Sequence, residues 1–249
     1  MHHNATSLSN PVVAITGAAD GIGWATAQLF AARGWRVALL DMNGDKARER
    51  AQALGPHHMG VLCDVTDEAQ ASAAMAQVVA QQGRLDALVN NAGIGDQAVP
   101  TLQQTADAFD RVLSVHLRGA FLMTQAALAH MQTQGRDAKG NRGAIVNIGS
   151  IASTSGIPGR NAYSAAKAGI LGMTRALATE WARKGIRVNA VAPGYVATAL
   201  VADLAEKGAI NAAAIVQRTP LGRMAEPAEI AETIFFLASP AASYVTGAT

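Results

Sequence analysis

Six short runs of β-branched or aliphatic residues, each followed by a longer, alanine-rich segment of helical period, restrict this chain to one kind of architecture. The runs are VVAIT (12–16), RVALL (36–40), MGVLC (59–63), LDALVN (85–90), GAIVNIG (143–149) and IRVNAVA (186–192). Helical spacing falls near 22–33, 45–53, 67–81, 105–132, 161–183 and 227–238. Strands this uniformly apolar are buried on both faces, and a helix between consecutive strands returns the chain for parallel pairing. The expected fold class is therefore α/β, a doubly wound parallel sheet flanked by helices on both faces. No linker or repeat interrupts the pattern, so residues 1–249 are expected to form one domain.

Composition narrows the function classes. The 249 residues are 50% hydrophobic and only 15% charged, which suits a compact globule with a large core. The 20 Lys and Arg and 18 Asp and Glu are scattered and leave a net charge of +2, so no nucleic-acid footprint is present. A single cysteine, Cys63, excludes an intrachain disulfide and fits a reducing compartment; its apolar run points to inert packing. The N-terminal MHHNATSLSN lacks the apolar centre and cleavage site of a signal peptide, and no run approaches the about 18 consecutive apolar residues of a membrane span. A cytoplasmic protein with no membrane partner is expected. His2 and His3 read as terminal residues rather than metal ligands, and no metal site is expected.

The first strand leads into TGAADGIG, with Gly17, Gly21 and Gly23 between strand and helix. Such a turn lets backbone N–H groups approach a pyrophosphate at the positive end of the helix, so a dinucleotide is expected. The absence of Gly-Lys-Ser or Gly-Lys-Thr removes a phosphate-loop ATPase. Asp41, after the second strand, is placed to accept hydrogen bonds from both adenosine ribose hydroxyls and to repel a 2'-phosphate. Asp20 in the turn adds a second negative charge, and the pair favours NAD over NADP.

Tyr163 and Lys167 in NAYSAAKAG are four apart, so both leave one face of the predicted helix. An ammonium near a phenol favours the phenolate and is expected to lower the tyrosine pKa, making Tyr163 a general base. Ser150 ends the strand AIVNIGS on the side where parallel sheets bind ligands. The helix 105–132 carries one imidazole in its apolar stripe. Phe109, Val112, Leu113, Ala120 and Met123 share its face at helical offsets, so His116 is expected to point inward, either as a core histidine or as part of a site. Two polar segments remain, a surface turn at 132–143 and a stretch at 197–223 placed where a substrate lid is expected.

These motifs together resemble the short-chain dehydrogenase/reductase family, classical type, from about residue 10 to the end. The resemblance implies a Rossmann-like fold and cofactor contacts at Gly17, Asp20, Gly21, Ile22, Gly23, Asp41 and Met42. It further implies Asp64 and Val65 of CDV at the adenine, and Asn91, Ala92 and Gly93 of NNAG. Pro193, Gly194, Val196 and Thr198 of PGYVAT would meet the nicotinamide. By resemblance, Ser150 holds the substrate oxygen and Tyr163 moves its proton. Lys167 binds the nicotinamide ribose and lowers the tyrosine pKa, while a hydride passes between nicotinamide C4 and the carbonyl carbon. The implied activity is an NAD(H)-dependent oxidoreductase acting on a secondary alcohol or ketone. A 3-oxoacyl-thioester reductase, or an NAD-binding sensor without turnover, are the alternatives.

The chain departs from the family in two places. His116 occupies the Asn of V-N-L-x-G, a residue that in the family helps hold a local break in the helix and a water linking the lysine to solvent; histidine can also donate and accept. Family members continue past YVTGAT with a final strand and VDGG, so the resemblance implies a truncated sequence or one domain of a longer protein. It also implies a homo-oligomer, tetramer or dimer, built on paired long helices. The substrate is not named by the sequence. The lid offers Asp203, Glu206, Lys207, Gln217 and Arg218, and Arg160 and Asn161 face either the substrate or the surface.

Overall fold

The computed structural model describes residues 10–206 and 210–249; His2, His3 and Lys207 lie outside the described residues. Strands β1 (Val12–Thr16), β2 (Arg36–Asp41), β3 (Met59–Leu62), β4 (Ala87–Asn90), β5 (Gly143–Ile148) and β6 (Ile186–Val191) form one sheet in the order β3-β2-β1-β4-β5-β6. Every pairing is parallel. All six strands therefore deliver their carboxyl ends to one edge, and the order reverses between β1 and β4.

Strand periodicity explains the layers. In β1, Val12 and Ala14 enter one core while Val13 and Ile15 enter the other. Helices α1 (Gly21–Ala32), α2 (Gly44–Leu54) and the late helix Pro227–Ala238 supply the second core, where Phe30, Trp35 and Phe235 meet edge to face. Helices α3 (Glu68–Gln82), α4 (Ala106–Leu113), α5 (Gly119–Met131) and α6 (Asn161–Trp181) lie on the opposite face. Local chemistry sets the ends. Asp67 caps α3 by accepting from the amides of Ala69 and Gln70, and Gly83 stops it at φ +81°. Fully burying a side chain such as Ile15 or Phe30 contributes about 1.5–3 kcal/mol.

The predicted strands and helices are present with ends shifted by a residue or two. The polar segment 132–143 is an exposed turn, held by Gln134, which accepts from the amide of Leu85 and donates to its carbonyl. The segment 197–223 holds two short helices, α7 (Ala199–Glu206) and α8 (Ala212–Arg218), before α9 (Pro227–Ala238). The predicted helix 105–132 is one rod, but it is broken by a π-helical turn over Ser114–Arg118, between α4 and α5. The extra residue shifts the helical phase there. Val112, His116, Ala120 and Met123 stay buried, whereas Leu113 turns out to join Leu117 and Phe121 along an outer groove, contrary to the inward face expected of it. This rod, Ala106–Met131, has the length and apolar content of a membrane span, but half of its apolar window is buried in the fold.

One buried charge secures the carboxyl side of α9. The Arg187 guanidinium, on β6, donates to the carbonyls of Leu237 (2.7 Å), Ala238 (3.2 Å) and Ser239 (3.0 Å). These are the last carbonyls of a helix, left without intrahelical partners and at the negative end of its dipole. Beyond α9, Gly247 donates to Val188 and Ala190 donates to Ala248, so the tail runs along the outer edge of β6.

Candidate active site

The carboxyl end of β1 makes a turn that only bare backbone can occupy. Gly17 has φ +61°, and a Cβ there would lie 2.9 Å from Ala92 Cα. A Cβ on Gly23 would lie 2.2 Å from the Gly17 carbonyl oxygen, so α1 starts pressed against the turn. Asn91, just after β4, fixes the arrangement. Its side-chain amide donates to the carbonyls of Thr16 (2.9 Å) and Gly17 (3.0 Å), and the Thr16 hydroxyl accepts from the amides of Asn91 and Ala92 at 3.0 Å each.

From this turn a cleft of about 540 Å³ runs along the ends of the strands. At one end stand Asp41, Met42, Asp64 and Val65. Asp41 accepts from the amides of Ala19 (3.0 Å) and Asn43 (2.9 Å), which holds the carboxylate at the rim while leaving acceptor capacity outward. Asp64 accepts from both the amide and the hydroxyl of Thr66. Asp20 differs from expectation. Lys46 donates to both of its oxygens, at 2.6 and 2.7 Å, so its charge is matched rather than free to repel a phosphate.

At the other end Ser150, Tyr163, Lys167 and His116 converge. Ser150 caps the turn after β5, its hydroxyl accepting from the Ala152 amide at 3.1 Å. Lys167, on α6, is buried, and its ammonium donates to the Ile148 carbonyl at 2.6 Å; burial pushes it down to about 8. The phenol of Tyr163 is raised, not lowered as the sequence suggested. Burial is the largest cause, opposed by a hydrogen bond with the Ser150 side chain and by the charge of Arg160. The Lys167 ammonium sits over the ring, 5.6 Å from the centroid, and donates to the Ile148 carbonyl.

His116 is a buried residue within the π-helical turn. Its ring meets Tyr163 edge to face at 5.3 Å, and a Cβ on Gly93 would lie 2.5 Å from its Cε1. Nε2 lies 3.1 Å from the Ile94 amide nitrogen and 2.9 Å from the Ile94 carbonyl oxygen, serving one of them according to tautomer. Nδ1 is buried without a partner among the described residues. Burial, then the nearby Lys167 charge, push the imidazole down to about 4, so it is neutral at physiological pH.

Of the catalytic and cofactor-contact residues expected from the sequence, all but Gly23 line the cleft, and Gly23 lies behind the turn; of the candidate substrate-facing residues Arg160 lines it, whereas Asn161, Asp203, Glu206, Gln217 and Arg218 are not part of its lining. Pro193, Gly194, Val196 and Thr198 form its wall after β6, where Thr198 accepts from the Val201 amide and starts α7. Cys63 is buried with its thiol pushed up to about 12 by burial, in keeping with inert packing. Five contributors were missed. Ile94, Ile151, Ile157 and Tyr195 line the cleft but carry no periodic signal. Asp96 accepts from the Tyr163 amide at 3.1 Å and so caps α6 from a distant loop, where no local cap pattern reveals it.

Comparison with known proteins agrees with this architecture. A family model described as enoyl-(acyl carrier protein) reductase matches residues 17–249. An uncharacterised short-chain type dehydrogenase/reductase of Sinorhizobium fredii is 42% identical over 238 residues, covering 96% of this chain, which spans only 42% of that relative. A cis-4-hydroxycyclohexanecarboxylate dehydrogenase of Sinomonas cyclohexanicum is 45% identical over 245 residues, 97% of this chain and 94% of the relative. The crystal structure of a 3-ketoacyl-(acyl-carrier-protein) reductase from Brucella melitensis complexed with NADH matches with a TM-score of 0.89 at 34% identity, over 97% of this chain and 96% of that one. With nearly the whole chain matched in sequence and in the course of its backbone, the protein belongs to the short-chain dehydrogenase/reductase family.

Proposed function

We propose that the chain is an NAD(H)-dependent oxidoreductase that transfers a hydride between nicotinamide and a secondary alcohol or ketone. The observation that carries this reading is the convergence of Ser150, Tyr163 and Lys167 in the same cleft as the Gly17 turn. The residues fit a dinucleotide. The turn is kept bare by Gly17 and Gly21, Asp41 and Asp64 offer acceptors for ribose hydroxyls and an adenine amino group, and Pro193 to Thr198 wall the far end. A bound nicotinamide would supply the hydride acceptor or donor at C4. Ser150 would hold the substrate oxygen and the Tyr163 hydroxyl would take or give its proton. Lys167 contributes a positive charge beneath the phenol ring.

Preference for NAD over NADP rests on the cations around Asp41. Lys46 is paired with Asp20 at 2.6 Å and Arg48 with Asp45 at 2.6 Å, so a 2'-phosphate would have to compete for them, while the Asp41 carboxylate opposes one. Reduction of 3-oxoacyl thioesters is the second reading, favoured by similarity to the Brucella enzyme. A sensor without turnover has no support beyond the Asn-to-His exchange at His116. The outer groove of Leu113, Leu117, Phe121 and Met173 supports a homo-oligomer, and the buried, reduced Cys63 suits a cytoplasmic location. Within the site, neutral His116 positions the Ile94 backbone against Tyr163, and its second nitrogen is available to relay a proton between Lys167 and solvent.

Three outcomes test this reading. Tyr163→Phe lowers kcat about 10³-fold with NADH affinity within a few-fold of wild type; substantial residual turnover removes Tyr163 from the proton step. NADH binds at least about tenfold more tightly than NADPH by fluorescence titration, whereas equal or tighter NADPH binding means that Lys46 leaves Asp20 for the phosphate. For His116, which binds its proton more weakly folded than unfolded, stability is lost as pH falls from the ordinary 6.5 towards about 4. His116→Asn flattens the melting temperature over that window, and His116→Leu turns over at least about tenfold more slowly than His116→Asn. Equal rates for the two variants reduce His116 to packing.

A further inference from the structure

The substrate end of the cleft holds a charge that the hydride-transfer reading leaves without a task. Arg160 directly precedes α6, is half-buried, and lines the cleft three residues before Tyr163. Its backbone N–H donates to the Ile157 carbonyl at 3.2 Å. Its guanidinium has no ion pair or hydrogen bond among the described residues, whereas Arg33, Arg48, Arg84 and Arg223 each hold a carboxylate. Asp96 on the neighbouring loop accepts from the Tyr163 amide at 3.1 Å and the Gln97 amide at 2.7 Å and forms no ion pair with Arg160.

The surroundings make that charge specific. Ile94, Ile151, Ile157 and Ile210 line this end of the cleft and provide an aliphatic wall with no counter-charge. Tyr195 is also half-buried there, and its hydroxyl has no hydrogen-bond partner among the described residues. Both Arg160 and Tyr195 lie close enough to the phenol of Tyr163 to act on its ionisation. A guanidinium drawn partly out of water gains most from a planar anion, which it can bind through two parallel N–H donors.

We propose that Arg160, assisted by the Tyr195 hydroxyl, binds a carboxylate carried by the substrate, so that the reacting alcohol or ketone is a hydroxy acid or keto acid with an aliphatic body. The proposal rests on the oxidoreductase reading for its reaction and adds the substrate class. In the oxidation direction the carbinol C–H would leave as hydride, hydrogen and electron pair together, to a bound NAD, and the O–H proton would pass to the ionised Tyr163 oxygen as the carbonyl double bond forms. The carboxylate makes and breaks no bond. It orients the carbinol by anchoring the other end of the molecule.

The test compares 3-hydroxybutyrate, 5-hydroxyhexanoate and 6-hydroxyheptanoate with their methyl esters, which keep the length and remove the charge. In wild type, kcat/KM for the acid of matching length exceeds that of its ester by at least about tenfold. Arg160→Met brings that ratio close to one, chiefly through KM, and Arg160→Lys keeps part of the preference. Calorimetric titration of the same acid into protein loaded with NADH gives a readout independent of turnover, and Arg160→Met weakens this affinity at least about tenfold. Esters used as well as acids, or an acid preference that survives in Arg160→Met, overturn the proposal. Arg160-dependent binding of the acid without turnover of either form would strike instead at the oxidoreductase reading and leave the anion site standing.

Discussion

The hydrogen bonds from Asn91 to the carbonyls of Thr16 and Gly17 join the two halves of the sheet where the strand order reverses. A parallel sheet splayed at such a point opens a crevice, and its walls need something to hold them in register. Here the tie is continued by its neighbours in one short segment. Asn90 donates to Asn147 on β5 and to Thr124 on α5, Gly93 makes room for the His116 ring, Ile94 bonds that ring, and Asp96 caps the helix carrying Tyr163. Seven consecutive residues, NNAGIGD, thus touch the glycine turn, the sheet interior, the π-helical turn and the catalytic helix.

The cleft is electrically divided along its length. Carboxylates at Asp41 and Asp64 mark the end beyond the glycine turn, and the positive charges of Lys167 and Arg160 stand at the other. The two cations differ in kind. Lys167 is buried, committed to the Ile148 carbonyl and lowered by desolvation, while Arg160 is half-buried and uncommitted. Tyr163 lies between their influences, its phenol held up by burial, so any group that brings polar donors to its oxygen shifts it towards ionisation.

Much of this was legible in the sequence because the signals are local. Uniformly apolar runs such as VVAIT report strands buried on both faces, Asp41 sits at the end of β2, and the Tyr163 and Lys167 spacing reports a shared helix face. What could not be read depends on contacts between distant segments. The π-helical turn at Ser114–Arg118 rotates Leu113 out of the face that ideal helical counting assigned it. Lys46 reaches back 26 residues to neutralise Asp20, and Asp96 caps a helix that begins 65 residues later. The direction of the Tyr163 shift was missed for the same reason, since spacing places Lys167 on the right face without showing how deeply the fold buries the phenol.

Asn91 belongs to the site through the turn it holds, since its amide is spent on Thr16 and Gly17, and that is the claim on which the cleft depends. The most direct measurement is the dissociation constant of NADH for wild type and Asn91→Ala by calorimetric titration, with cooperative thermal unfolding confirmed for both. One NADH per chain in wild type and affinity at least about tenfold weaker in the variant are predicted, from the loss of two partly buried hydrogen bonds at the turn. Unchanged affinity in a folded Asn91→Ala protein would contradict the account.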